Sequence, residues 1–188
     1  MPKIVDHVAR RRQLTEALWR VVSRDGVDAV SVRNVAAEAG CSPGALRHYF
    51  PDQSDLVASA LALVGDRFAA RIATLDVPGT PVEIVQAYCE QMIPLDEARR
   101  IEAEVWFGFV IRARLDPALD ALTHRVQRDL RGFLAQLLPY IGAPSAEVDR
   151  LHALIDGFTL HLLLYPDQLS TDTVRERLRA HLESIASV

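Results

Sequence analysis

The sequence predicts an all-α protein of about nine helices, with a three-helix head at the N-terminus and a helical bundle behind it. Three observations predict this. Apolar residues recur at three- and four-residue intervals through the long segments. Gly, Pro and Ser/Asp clusters break those segments at helix-like lengths. No stretch alternates apolar and polar residues between hairpin turns, and no repeat or low-complexity tract occurs. With 49% apolar and 24% charged residues, the 188-residue chain can fill a core and is not of disordered composition.

The elements follow in order. Val8, Leu14, Leu18, Val21 and Val22 mark the buried face of a first helix, His7 to Arg24, which Asp25-Gly26 ends. Ser31 can cap a second helix, Val32 to Ala39, with Val32, Val35, Ala36 and Ala39 inward and Gly40 as its stop. Ser42 can cap a third, Pro43 to Tyr49, because Pro in the first turn loses no helical hydrogen bond. Leu46 and Phe50, four apart, face the core, and Pro51 breaks the helix. A fourth helix runs from Gln53 or Ser54 to Leu75, and "DVPGTP" (Asp76 to Pro81) is a linker. Further helices are expected over 81–93, 95–115, 117–140, 146–165 and 171–186, with Ser145, Ser170 and Thr171 as candidate caps.

Several classes are excluded. No apolar run approaches the roughly 18–20 residues that span a bilayer, and no N-terminal signal pattern is present, so a cytoplasmic protein with no membrane partner is expected. Cys41 and Cys89 offer neither a disulfide framework nor a zinc spacing. No Gly-rich phosphate loop, H-E-x-x-H or G-x-S-x-G motif appears, so no enzyme, catalytic residue or cofactor is expected. His152 and Asp156, four apart, lack an evident third metal ligand, and no metal site is assigned.

The charge is unevenly spread. Residues 1–50 hold eight Lys/Arg against five Asp/Glu, a net +3, while the remainder carries −7. A basic segment on an acidic chain points to an anionic partner for that segment. The second and third helices are short and joined by "AGCS", and Ala36 and Ala39 allow a close crossing. The third presents Arg47, His48 and Tyr49 away from Leu46 and Phe50, which makes a helix-turn-helix. Ser42 and the backbone of Gly44 sit at a helix start, where free N–H groups and the dipole suit phosphate. Arg47 can pair with guanine or phosphate, and Tyr49 can donate to phosphate. Arg33 can touch the flanking backbone. The bland alternative is a helical corner with solvated polar residues. The run Arg10 to Arg12 reads equally as a phosphate-touching face or as a solvated charge run.

From Gly26 through "SVRNVAAEAGCSPGALRHYFPDQSDL" (Ser31 to Leu56), the chain resembles the N-terminal signature of TetR-family transcriptional repressors. The later stretches "IPLDEARRIEAEVWFGFVIRARLDPAL" and "LIDGFTLHLLLYPDQLS" are similar to the BetI-like branch. The resemblance implies an all-helical homodimer, with a DNA-binding head at 1–52 and an effector-binding, dimerising body at 53–188. It implies a near-palindromic double-stranded DNA operator and an unidentified small-molecule effector. It places Ser42, Gly44, Arg47, His48 and Tyr49 at the DNA, with Gln53 as a weaker, neutral contact, and Leu46 and Phe50 in the core. Three positions depart from the pattern. Arg47 stands where Tyr is common, Gln53 where Lys usually holds a phosphate, and Cys41 replaces an aliphatic as a small apolar plug. Other readings are a helical adaptor, or a small-molecule-binding protein with a degenerate head.

In the body, "LHALIDGFTLHLLLY" (Leu151 to Tyr165) is apolar almost all round and must be covered on more than one side. A homodimer through the last two helices, the family's four-helix seam, places Leu154, Gly157, His161 and Leu164 at the interface. "VWFGFVI" (Val105 to Ile111) is also apolar all round. Trp106 and Phe109, with Tyr88, Met92 and Phe158, could line an effector pocket, with Gln91, Glu102 and Arg112 as polar anchors. The same residues also read as plain core.

Overall fold

The computed structural model describes residues 7–114 and 116–186, with the side chains of Arg112 and Ala118 also outside the description. Among the described residues the chain is helical throughout, without a strand. Nine α-helices run in order: α1 His7–Asp25, α2 Val32–Glu38, α3 Pro43–Arg47, α4 Gln53–Thr74, α5 Pro81–Glu90, α6 Glu97–Ala113, α7 Pro117–Leu137, α8 Val148–Leu164 and α9 Thr171–Ile185. Short 3-10 turns at Val27–Ala29, Leu138–Ile141 and Ser145–Glu147 fill three of the connections.

The caps explain most boundaries. The Ser31 hydroxyl accepts from the Asn34 N–H, Ser42 from Ala45 and Ser170 from Thr173, each at 3.1 Å. Each satisfies an orphan donor of a first turn, worth about 1 kcal/mol. Thr80 forms a reciprocal box that the sequence reading missed. Its hydroxyl accepts from the Glu83 N–H at 3.3 Å, and the Glu83 carboxylate accepts from the Thr80 N–H at 2.9 Å.

Some expectations are corrected. Ser145 does not cap α8; it lies in a 3-10 turn, and α8 begins at Val148 behind Glu147 with no side-chain cap. Thr171 opens α9, with Ser170 before it as the cap. Helix α3 stops at Arg47 because the Tyr49 and Phe50 N–H groups both turn back to the Leu46 carbonyl ahead of Pro51. Helix α6 begins at Glu97, after the Asp96 carboxylate accepts from the Arg99 N–H. Leu115, the expected end of that helix, lies outside the described residues.

The chain packs as two compact units. The first comprises residues 1–66 and 104–122. Its buried side chains include Leu14, Leu18 and Val22 of α1, Val35 of α2, Leu46 of α3, Phe50, and Leu56 and Ala60 of α4. Packing carries this unit past residue 52 because the first two turns of α4 bury Leu56, Val57, Ala60 and Leu61. Val105 and Phe109 of α6 are fully buried in the same unit. The second unit comprises residues 67–103 and 123–188. Its core joins Val85 and Cys89 of α5, Leu134 of α7, Leu151, Ile155 and Phe158 of α8, and Val174, Leu178 and Leu182 of α9.

Candidate nucleic-acid interface and ligand site

Helix α3 is five residues long and rests on Leu46 alone, with Phe50 just beyond it; both are fully buried. A helix that short has little stability of its own, so its neighbours must hold it. Ser42, Gly44, Arg47 and His48 are exposed, and Tyr49 is half-buried. Arg33, at the start of α2, is exposed too. Neither Arg33 nor Arg47 has a hydrogen-bond or ion-pair partner among the described residues, so both guanidinium groups are free to meet an anion.

Four other arginines of this unit, Arg10, Arg11, Arg20 and Arg24, are committed. Arg20 and Arg24 both donate to the Glu38 carboxylate, at 2.7 and 2.8 Å, and Arg24 also pairs with Asp25. These bonds, that of Arg20 first, hold the Glu38 carboxyl below the usual carboxylate range. Arg10 donates to Gln13. Arg11 donates from Nη1 to the Tyr49 carbonyl at 2.9 Å, and its guanidinium lies 4.6 Å from the Phe50 ring centroid. Of the Arg10 to Arg12 run, only Arg12 is without a partner among the described residues.

His48 and Tyr49 are ordered by ring contacts. Their centroids lie 5.3 Å apart edge to face, and His7 of α1 meets them at 5.8 and 5.6 Å. Gln53 turns inward and donates from Nε2 to the Val30 carbonyl at 2.7 Å. Its amide therefore ties the start of α4 to the residue that precedes the Ser31 cap.

In the second unit the Glu102 carboxylate is not open. Arg71 grips it bidentately, with both N···O distances at 2.7 Å, and also donates to the Gln91 carbonyl at 3.3 Å. Glu102 is almost fully buried, and the Arg71 Nε is buried with no partner. The Gln91 side chain donates locally to the Ala87 carbonyl. The Tyr88 hydroxyl donates to the Leu75 carbonyl, at a long 3.5 Å. Phe133 stands edge-on to Phe68 and Tyr88, with centroids at 5.5 and 6.2 Å. Met92 packs half-buried against the core, and Phe158 is part of it.

The structure thus groups Tyr88, Gln91, Met92, Glu102 and Phe158 in one unit and puts Trp106 and Phe109 in the other. The Arg112 side chain lies outside the described residues. Sequence reading missed Arg71, Phe68 and Phe133. Arg71 carried a visible signal, as an arginine flanked by Ala70 and Ile72 in an apolar stretch of α4.

On α8, Leu154 is half-buried against its own core. His161 and Leu164 are exposed, and an added Cβ at Gly157 would meet nothing within 4 Å. Leu160 and Tyr165, not singled out from sequence, extend this exposed face. His152 and Asp156 stand 3.9 Å apart, and no cluster of three metal-ligating side chains occurs among the described residues. Cys89 is fully enclosed, and burial pushes its thiol up to about 12, whereas Cys41 is partly accessible. No helix among the described residues is long and apolar enough to cross a membrane.

Comparison with known proteins adds to this geometry. Residues 14–60 match the family described as bacterial regulatory proteins, tetR family. Residues 81–187 match the family described as BetI-type transcriptional repressor, C-terminal. The chain is 38% identical to the HTH-type transcriptional regulator PksA of Bacillus subtilis, over 98% of this chain and 94% of that one. It is similar to a transcriptional regulator from a Rhodococcus species, with TM-score 0.82 and 31% identity over 93% of this chain and 95% of that one. It shares its fold with a regulator from Saccharomonospora viridis solved in complex with choline, with TM-score 0.81 and 24% identity over 96% of this chain and all of that one.

Proposed function

The chain belongs to the TetR family of transcriptional regulators, and from that premise we propose a dimeric repressor whose α3 reads the operator and whose body takes the effector. The family makes it a DNA-binding regulator and not an enzyme, with a helix-turn-helix part and a ligand-binding C-terminal part. We place the DNA-binding part at residues 1–52 and the effector-binding and dimerising part at 53–188. Its site of action is the bacterial cytoplasm, where the chromosome lies.

The observation that supports this best is the sorting of cations in the head. Arg20 and Arg24 are consumed by Asp25 and Glu38, and Arg11 by the end of α3. Among the described residues Arg33 of α2 and Arg47 of α3, with Arg12 of α1, are left without partners. Arg47 contacts a base edge or phosphate, while Arg33, Ser42, the Gly44 backbone and Tyr49 position the head on the duplex. His48 shares that surface through its ring contact with Tyr49. Gln53 contributes from the same end of α4, chiefly by its bond to Val30.

Two subunits join through α8 and α9, with Gly157, Leu160, His161 and Leu164 on the seam and Leu154 at its edge. That two-fold sets the two α3 helices into successive major grooves of a near-palindromic operator. Helices α4, α6 and α7 are each shared between the two compact units by chain continuity. An effector held among Tyr88, Gln91, Met92, Glu102 and Phe158 of the second unit acts through these helices on the heads. It releases DNA only if it binds the released arrangement more tightly. The Saccharomonospora viridis neighbour carries choline. Here a cation of that kind must displace Arg71 to reach Glu102, so a neutral or acceptor-bearing effector suits this chain better.

Retention of genomic DNA fragments on the purified protein tests the reading. Retention that weakens steeply with salt supports it, and none at low salt overturns it.

A further inference from the structure

We propose that Arg11 is a positioning residue for the recognition helix, holding the C-terminal end of α3 in place and so sharpening the choice of DNA sequence without touching DNA. This rests on reading α3 as the helix that meets the operator. Four observations carry it. Helix α3 has five residues and one buried side chain, Leu46, so it cannot fix its own orientation. Beyond it the Tyr49 carbonyl lies past the last residue of α3 and accepts no backbone N–H among the described residues. Arg11 reaches that carbonyl across 38 positions of sequence with an N–H···O bond of 2.9 Å. The same guanidinium faces the Phe50 ring, itself fixed by full burial.

One planar group thus makes two contacts at once, a directed donor bond and a face contact with an aromatic ring. A lysine ammonium cannot reproduce that pairing, because it is a compact charge without a flat face. The positive charge also sits where the helix dipole is negative. His7, four residues earlier on the same helix, meets the rings of His48 and Tyr49 and extends the grip to the side chains that face outward. Arg11 therefore differs from Arg33 and Arg47. Its guanidinium is used within the head, and theirs are not.

The prediction follows from how proteins read DNA. Non-specific binding depends on phosphate contacts, and specific binding on side chains held at base edges. Loosening α3 should lower the second and spare the first. Arg11→Ala and Arg11→Lys are compared with wild type on a duplex selected by wild type from a random pool, and on an unrelated duplex of equal length. Each is measured at several salt concentrations. The proposal expects both variants to lose about tenfold or more on the selected duplex, a magnitude in keeping with a lost base contact. It expects affinity for the unrelated duplex, and its salt dependence, to stay as in wild type. An Arg11→Lys variant that binds like wild type overturns it. So does an equal loss on both duplexes with the salt slope reduced by about one, the mark of a phosphate contact.

Amide hydrogen exchange without DNA gives an independent reading. Faster exchange at Tyr49 and Phe50 in Arg11→Ala, with Val35 and Ala39 unchanged, supports the proposal; unchanged exchange at Tyr49 and Phe50 overturns it. Uniformly faster exchange means that the whole head has loosened, and this too overturns it. If wild type selects no duplex at all, the DNA reading fails while exchange still decides what Arg11 does.

Discussion

Gln53 donates its side-chain amide to the Val30 carbonyl at 2.7 Å, joining the first turn of α4 to the segment that leads into α2. The bond gives this neutral side chain a structural role inside the head. The side chain acts within the head, tying the start of α4 to Val30 by an amide rather than by a charge.

Gln53→Ala should therefore destabilise the protein by about 1 kcal/mol, the usual net value of one such hydrogen bond. Chemical denaturation measures it. Gln53→Lys should tighten DNA binding at low salt and steepen its salt dependence by about one unit, because it adds a phosphate-directed cation. An unchanged midpoint in Gln53→Ala, or an unchanged slope in Gln53→Lys, contradicts the assignment.

Arg47 and Arg33 should separate by the kind of loss they cause. Arg47→Ala is expected to cost about 1–3 kcal/mol of operator binding and to relax the preference at one base pair. Arg33→Ala should weaken all sequences alike and lower the salt slope by about one. Binding titrations against the selected site and its single-base variants distinguish these outcomes. A uniform loss with Arg47→Ala would make it a phosphate contact.

Much of this head was legible in the sequence. Ser31 and Ser42 behave as the caps their positions implied, and Leu46 and Phe50 are buried as their spacing required. These are local features, set by neighbours within one turn. Arg11 and Gln53 were not legible, because their partners, the Tyr49 and Val30 carbonyls, lie 38 and 23 residues away. A backbone carbonyl leaves no mark in a side-chain pattern. Arg71 and Glu102 are alike in this respect, since their pairing joins α4 to α6 across 31 residues. Helix periodicity shows which face is buried, not which face of another helix it meets.

Two glycines should respond in opposite ways. At Gly108 an added Cβ would lie 2.9 Å from the Val27 Cγ1, within the first compact unit. Gly108→Ala should cost about 1–3 kcal/mol through overpacking, read as a lower Tm. At Gly157 nothing lies within 4 Å of the new atom, so the protomer has room for a Cβ there. Gly157→Leu should keep its helical circular dichroism and yet dissociate at concentrations where wild type remains dimeric. Sedimentation showing a dimer of unchanged affinity would place the seam elsewhere.

The Arg71–Glu102 pair gives a stability prediction. Glu102 has 7% of its side chain exposed and Arg71 28%, so the charges are only partly screened. Glu102→Gln should cost about 3 kcal/mol, because it leaves the guanidinium facing a neutral group. That corresponds to a fall in Tm on the order of 6–12 °C for a chain of this length. The double variant Glu102→Gln with Arg71→Met should recover part of the loss, since no unpaired charge remains. Melting of Glu102→Gln at the wild-type temperature would mean that the pair contributes nothing.

Selection of bound duplexes from a random DNA pool by the purified protein tests the central claim most directly. The account predicts enrichment of a near-palindrome with half-sites about one helical turn apart, roughly 10 base pairs or a multiple of it. It also predicts binding that falls steeply with salt and relaxes its preference at one base pair in Arg47→Ala. A pool that stays unenriched at low salt, or an enriched site without two-fold symmetry, would contradict it.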